Sequence, residues 1–133
     1  MINRRFSVVW PFILCLFACG DASEQDIVAE IDLFEVKTLF LNRCSFAACH
    51  GPELGAGGLV LKPEPLTAIV DVPSKVGENK LLVVPFSPDE SYLYEKITSQ
   101  MPAFGDPMPP SVPLDSETLD LVRRWIEDGA PTE

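Results

Sequence analysis

Cys44-Ser45-Phe46-Ala47-Ala48-Cys49-His50-Gly51 sets two thiols four residues apart and follows the second directly with an imidazole. In the shorter form C-x-x-C-H this is the arrangement that fastens haem c to a polypeptide. Each thiol adds to one vinyl group of the porphyrin, and the imidazole then fills an axial position on the iron. The spacer here is two residues longer than that form, so the rest of the chain must argue for the reading. His50 is the only histidine in the sequence, hence the only candidate for an imidazole ligand.

Other uses of the pair stand beside it. Cys44 and Cys49 can close one small disulfide loop in an oxidising compartment, with His50 a mere neighbour. A zinc site is one ligand short, because two thiolates and one imidazole leave a tetrahedral set incomplete. Thioredoxin-type chemistry wants two residues between the cysteines and a βαβ context, and neither is present. Nucleophilic catalysis by Cys49 needs a base oriented by a third group, which no nearby residue supplies.

Upstream, the sequence reads as targeting. Arg4 and Arg5 precede an apolar run from Phe6 to Ala18, too short to span a bilayer comfortably and of ordinary signal-peptide length. The run ends in Leu16-Phe17-Ala18-Cys19, similar to the lipobox at which bacterial lipoproteins are cut before a cysteine that receives lipid. Residues 1–18 are therefore expected to be a lipoprotein signal peptide, Cys19 the lipidated residue and 19–32 an acidic tether. The expected domain occupies 33–133. Cys15 leaves with the signal and Cys19 takes lipid, so only Cys44 and Cys49 remain as thiols. The product is expected on the periplasmic side of a membrane, held by lipid alone. Gly20 stands where lipoproteins retained in the inner membrane often carry aspartate, which favours the outer membrane.

Net charge restricts the partners. The chain has 20 Asp and Glu against 10 Lys and Arg, a formal charge of −10, and cleavage before Cys19 removes two of the basic residues. Nucleic acid, whose phosphates need Lys and Arg, is excluded. Adhesion to anionic lipid through charge is excluded for the same reason. A redox partner with a basic docking face fits the field of such a chain.

Three helices are legible. Asp32 caps a helix from Leu33 to about Asn42, which delivers Cys44 at its end. Ser87-Pro88 is a helix start, with a hydroxyl cap and proline at the first position. That helix reaches about Thr98 and presents Tyr92, Leu93, Lys96 and Ile97 on one face. Asp115 caps the clearest helix, Ser116 to Asp128, with Leu119, Val122 and Ile126 in a stripe beside Leu121 and Trp125. Gly129 and Pro131 stop it. Between these elements, Gly51 to Gly58 reads as loop and Pro65 to Val70 as one helical turn. Leu81 to Val84 is a short extended run, and Pro102 to Pro113, with five prolines, is irregular. The expectation is an all-α domain whose ordinary core is thin and which a large apolar cofactor would complete.

A haem carrier with a closed iron needs a second axial ligand, and methionine thioether is the soft donor that pairs with histidine in cytochromes c. Beyond the signal the chain has Met101 and Met108. Met108 stands in Asp106-Pro107-Met108-Pro109-Pro110, where flanking prolines fix φ and stiffen the strap. Met108 is the expected sixth ligand and Met101 the rival. Both also suit a plain packing role.

From Val36 to Pro131 the chain resembles small bacterial c-type cytochrome domains, including the planctomycete-type cytochrome c family. The resemblance is carried by Cys44 to Gly51 and by Gly57-Gly58-Leu59-Val60-Leu61. It continues through Val72-Pro73-Ser74, the run Val83 to Leu93 and Met108-Pro109-Pro110, and ends with Trp125 to Ala130. Pro85-Phe86 departs from the proline-glycine usual in the family. The resemblance implies a class I cytochrome c-like fold of three to four short helices around one haem. Phe40 and Trp125 would lie where the first and last helices cross. It further implies that Cys44 and Cys49 form the haem thioethers, His50 is the proximal iron ligand and Met108 the distal one. A backbone carbonyl near Lys62-Pro63 would accept the second ring N–H of His50. The expected function is single-electron transfer by a monohaem c-type cytochrome, not an enzyme. The alternatives are a haem-free lipoprotein scaffold with a Cys44–Cys49 disulfide, or a haem sensor or peroxidase from whose iron Met108 departs.

Overall fold

The structure, a computed structural model, describes residues 31–133. The expected signal peptide, the lipidation residue Cys19 and the tether as far as residue 30 lie outside the described residues. Among those described there are three α-helices and no strand, joined by turns and loops. No helix among them is long and apolar enough to cross a membrane.

Helix α1 spans Leu33–Leu39, and the Asp32 side chain caps it by accepting the Phe34 N–H at 2.8 Å. Val36 and Phe40 lie four residues apart on one helical face and are both buried. At Phe40 the helix widens into one π-turn, Phe40–Cys44, which carries the helical path two residues past its expected end. Ser45 closes this turn twice: its N–H donates to the Phe40 carbonyl at 3.1 Å and its Oγ to the same oxygen at 3.0 Å.

Helix α2 spans Tyr92–Thr98, four residues later than the Ser87-Pro88 start signal implies. Pro88–Glu90 forms a separate 3-10 turn, and Ser91 between the two is extended. The reason is the Ser91 hydroxyl. It accepts the Val84 N–H at 2.9 Å and donates to the Ser87 carbonyl at 2.9 Å, so the chain is tied back before the helix begins. The first amides of α2 also look outward. Tyr92 and Leu93 donate to the Leu81 and Leu82 carbonyls at 3.1 and 2.8 Å. The extended run at Leu81–Val84 thus serves as an edge for α2, and otherwise pairs only in isolated bridges, Val70 with Val83 and Pro73 with Leu81.

Helix α3 spans Ser116–Glu127, capped by Asp115, whose Oδ1 accepts the Thr118 N–H at 2.8 Å. Its end is closed by Gly129, at φ +94°, and by the Ala130 N–H donating to the Trp125 carbonyl at 2.9 Å. Leu121, Val122, Trp125 and Ile126 are buried. Trp125 meets the edge of Phe40 with ring centroids 5.9 Å apart and planes at 64°, which joins α1 to α3. Its indole N–H donates to the Pro131 carbonyl at 2.9 Å, so this large buried side chain keeps no polar atom unpaired.

Phe86 takes the left-handed region at φ +66°, a conformation glycine adopts without steric cost. Two contacts hold it there. Its N–H donates to the Ile126 carbonyl at 2.8 Å, and its ring lies over Gly129, where an added Cβ would come within 2.6 Å of it. The ring of Phe86 thus occupies the space that a side chain at position 129 would take.

Candidate functional site

The turn after α1 explains how a four-residue spacer is accommodated. Ser45 is drawn back under the helix end and is buried, while Phe46 to Cys49 folds into a tight turn closed by the Cys49 N–H on the Phe46 carbonyl at 2.9 Å. The extra residues are consumed by that turn, and the His50 N–H reaches back to the Cys44 carbonyl at 3.1 Å. Gly51 is required by proximity: a Cβ there would stand 2.8 Å from the Phe46 carbonyl oxygen. Its N–H instead donates to that oxygen at 2.9 Å.

Cys44, Cys49 and His50 line a cavity of about 580 Å³ whose wall also includes Met108. That volume falls in the range of about 300–1,000 Å³ typical of small-molecule and cofactor sites. Most of the wall is apolar. Leu59 and Leu61 come from the glycine-rich loop, Leu82 from the extended run, Leu93 and Ile97 from α2, and Leu114 from the approach to α3. Met101, the rival thioether, is 90% exposed and takes no part in the wall.

His50 Nδ1 lies 3.3 Å from the Leu59 carbonyl oxygen. A carbonyl can only accept, so this contact suits the neutral tautomer with its proton on Nδ1, which leaves the Nε2 lone pair for a ligand. The carbonyl near Lys62-Pro63 expected in this role is not the one used. The His50 carbonyl accepts the Leu61 N–H at 2.8 Å, which pins residues 59–61 beside the ring and brings the Leu59 oxygen to it.

Cys44 and Cys49 are free thiols, both half-buried. Burial pushes the Cys44 thiol up to about 11, against the pull of the neighbouring Arg43 charge and with a small push from Cys49. Cys44 is thus a neutral thiol rather than a poised thiolate, which speaks against Cys44 as a nucleophile. Among the described residues, no three His, Cys, Asp or Glu side chains gather as a metal site, so the ligand set a structural zinc needs is not assembled.

The donor set fits haem c better. It consists of two thiols, one imidazole with a directed lone pair and one thioether around an apolar cavity, with the porphyrin supplying the remaining iron ligands. Arg43 and Lys75, both exposed, add positive charge to the wall. That suits a cofactor which is apolar except for two carboxylates.

Several contributors escaped the sequence reading. Leu59 acts through its backbone oxygen, which no side-chain pattern reveals. Ser45 acts through a bond to the Phe40 carbonyl, which the spacing of the cysteines does not reveal. Lys96 was visible as one cation in the apolar face of α2, a signal that it had a partner on that side. Comparison with protein-family models, curated proteins and solved structures finds no match to this chain.

Proposed function

We propose that this chain is a monohaem c-type cytochrome with a class I-like fold that passes single electrons. The observation that carries the reading is the meeting of Cys44, Cys49, His50 and Met108 on the wall of one apolar cavity of cofactor size. Met108 comes to that wall from a strap far along the chain from the turn that carries Cys44, Cys49 and His50. The crossing of α1 and α3 at Phe40 and Trp125 supports the fold assignment.

When bound, haem c supplies reversible one-electron chemistry at its iron. The chain's own residues do the rest. The Cys44 and Cys49 sulfurs would hold the porphyrin as thioethers. His50 would offer Nε2, with Nδ1 directed at the Leu59 carbonyl, a contact that orients the ring. Met108 offers its thioether from the other branch of the chain. Leucine and isoleucine side chains of the wall would shield the bound group from water. With His50 and Met108 both offered to the iron, none of its positions would be left to a substrate, so the reading is a carrier and not an enzyme.

The acidic chain would steer a redox partner with a basic docking face. Export, lipidation at Cys19 and a periplasmic position at the outer membrane complete the proposal. Expression with a cytochrome c maturation system tests it. The oxidised protein is expected to show a methionine–iron charge-transfer band that Met108→Ala abolishes and Met101→Ala leaves intact. The reverse pattern would overturn the ligand assignment.

A further inference from the structure

The strap that bears Met108 has no regular structure, and its prolines at 102, 107, 109 and 110 donate no backbone hydrogen bond. Proline stiffness sets its local shape but not where it sits. Its position is taken from α2. The Met108 N–H donates to the Lys96 carbonyl at 2.7 Å. Lys96 Nζ donates to the Phe104 carbonyl at 3.0 Å and also to the Asp106 carbonyl. Tyr92 Oη donates to the same Phe104 oxygen at 2.6 Å, and the two rings meet edge to face with centroids 6.5 Å apart. Glu95 Oε1 accepts the Ala103 N–H at 2.5 Å, while its other oxygen is held by Lys80 at 2.5 Å.

Gly105 leaves room for the lysine contact. It sits at φ +64° between the two carbonyls that Lys96 grips, and a Cβ there would come within 3.2 Å of the ammonium. Tyr92 is buried, with Lys80 and Lys96 ammoniums 5.7 and 5.8 Å from its ring centroid, so the clamp is itself packed in place.

We propose that Lys96, assisted by Tyr92 and Glu95, is the positioning residue for Met108: it grips the strap's carbonyls on both sides of Gly105 and so keeps the thioether in the cavity wall. The proposal rests on the haem reading for its consequence, which is that the clamp would decide whether Met108 stays on the iron and keeps outside ligands from it. Closure is then a property of α2 as much as of the methionine.

The test compares Lys96→Met, which keeps an unbranched stem and loses the ammonium, with Lys96→Arg, whose guanidinium still donates to two carbonyls. In holoprotein, Lys96→Met is expected to keep covalent haem and helix content. Its charge-transfer band should weaken, and the reduced form should bind carbon monoxide at least about tenfold faster, a change on the scale of one lost charge-assisted hydrogen bond. Lys96→Arg should restore both. Wild-type band and carbon monoxide kinetics in Lys96→Met would overturn the proposal. If Lys96→Met does not fold, Tyr92→Phe removes one bond to Phe104 and should shift the same readouts in the same direction; no shift would overturn it.

Hydrogen exchange at the Met108 amide separates this proposal from the haem reading. Protection is expected to fall about tenfold in Lys96→Met whether or not the protein is coloured. Unchanged protection overturns the clamp. A colourless wild type overturns the haem reading, and with it the role in closing the iron.

Discussion

Gly51 and Ser45 carry the burden of the long spacer between Cys44 and Cys49. Ser45 tucks its hydroxyl onto the Phe40 carbonyl, and Gly51 lets the chain pass against the Phe46 carbonyl with no room for a methyl group. Because the clash at Gly51 is with backbone, it has no side-chain remedy. Gly51→Ala is expected to cost about 1–3 kcal/mol, the usual penalty for overpacking. Denaturant unfolding of the holoprotein would measure it, and an unchanged midpoint would mean that the turn relaxes freely. At this scale the thiols, the imidazole and Met108 were legible because chemistry depends on residue type. The acceptor for His50 was not, since a backbone oxygen belongs to any residue and only the 59–61 path selects Leu59.

Each helix shows a different relation between signal and outcome. Asp32 and Asp115 cap where the sequence marks caps, because each side chain reaches an amide within its own first turn. Ser87-Pro88 misleads, because Ser91 offers the backbone a competing tertiary tie that the local pattern does not contain. The π-turn at Phe40–Cys44 was likewise hidden, as it depends on Ser45 closing onto Phe40. Between α1 and α3, Trp125 is wholly buried, and Trp125→Ala is expected to lose about 3–5 kcal/mol in unfolding experiments.

Helix α2 carries a pH dependence as well. The hydrogen bond from Lys80, and then that from the Ala103 amide, hold the Glu95 carboxyl below the usual carboxylate range, with the Lys80 and Lys96 charges acting the same way. A carboxyl depressed in the fold contributes stability above its unfolded pKa of about 4.3 and loses it as pH falls through the lower folded value. Acidification below about pH 4 is therefore expected to loosen the strap before the core. Glu95→Gln should flatten that step in the protection of the Ala103 amide. An identical profile in the variant would remove Glu95 from the account.

Over the whole molecule, the buried side chains cluster around α1 and α3, while the cavity occupies the side bounded by α2, the glycine-rich loop and the Met108 strap. A domain this small has little core to spare, and a large apolar group in that space would extend it. The all-helical class was legible from caps and periodicity. The cavity was foreshadowed only indirectly, by a chain too rich in glycine and proline to fill its own interior. The acidic field acts at the same scale. Association with a basic redox protein is expected to slow by about tenfold or more between low and high salt. A salt-independent rate would show that charge does not steer the encounter.

The proposed function stands or falls with covalent attachment of one haem through Cys44 and Cys49. Intact mass and in-gel haem staining, after denaturation of protein matured with the cytochrome c machinery, measure this most directly. Wild type is expected to carry one haem's added mass and to stain, while Cys44→Ala/Cys49→Ala carries neither. A wild-type protein without added mass or stain, or a double variant that still retains both, would contradict it.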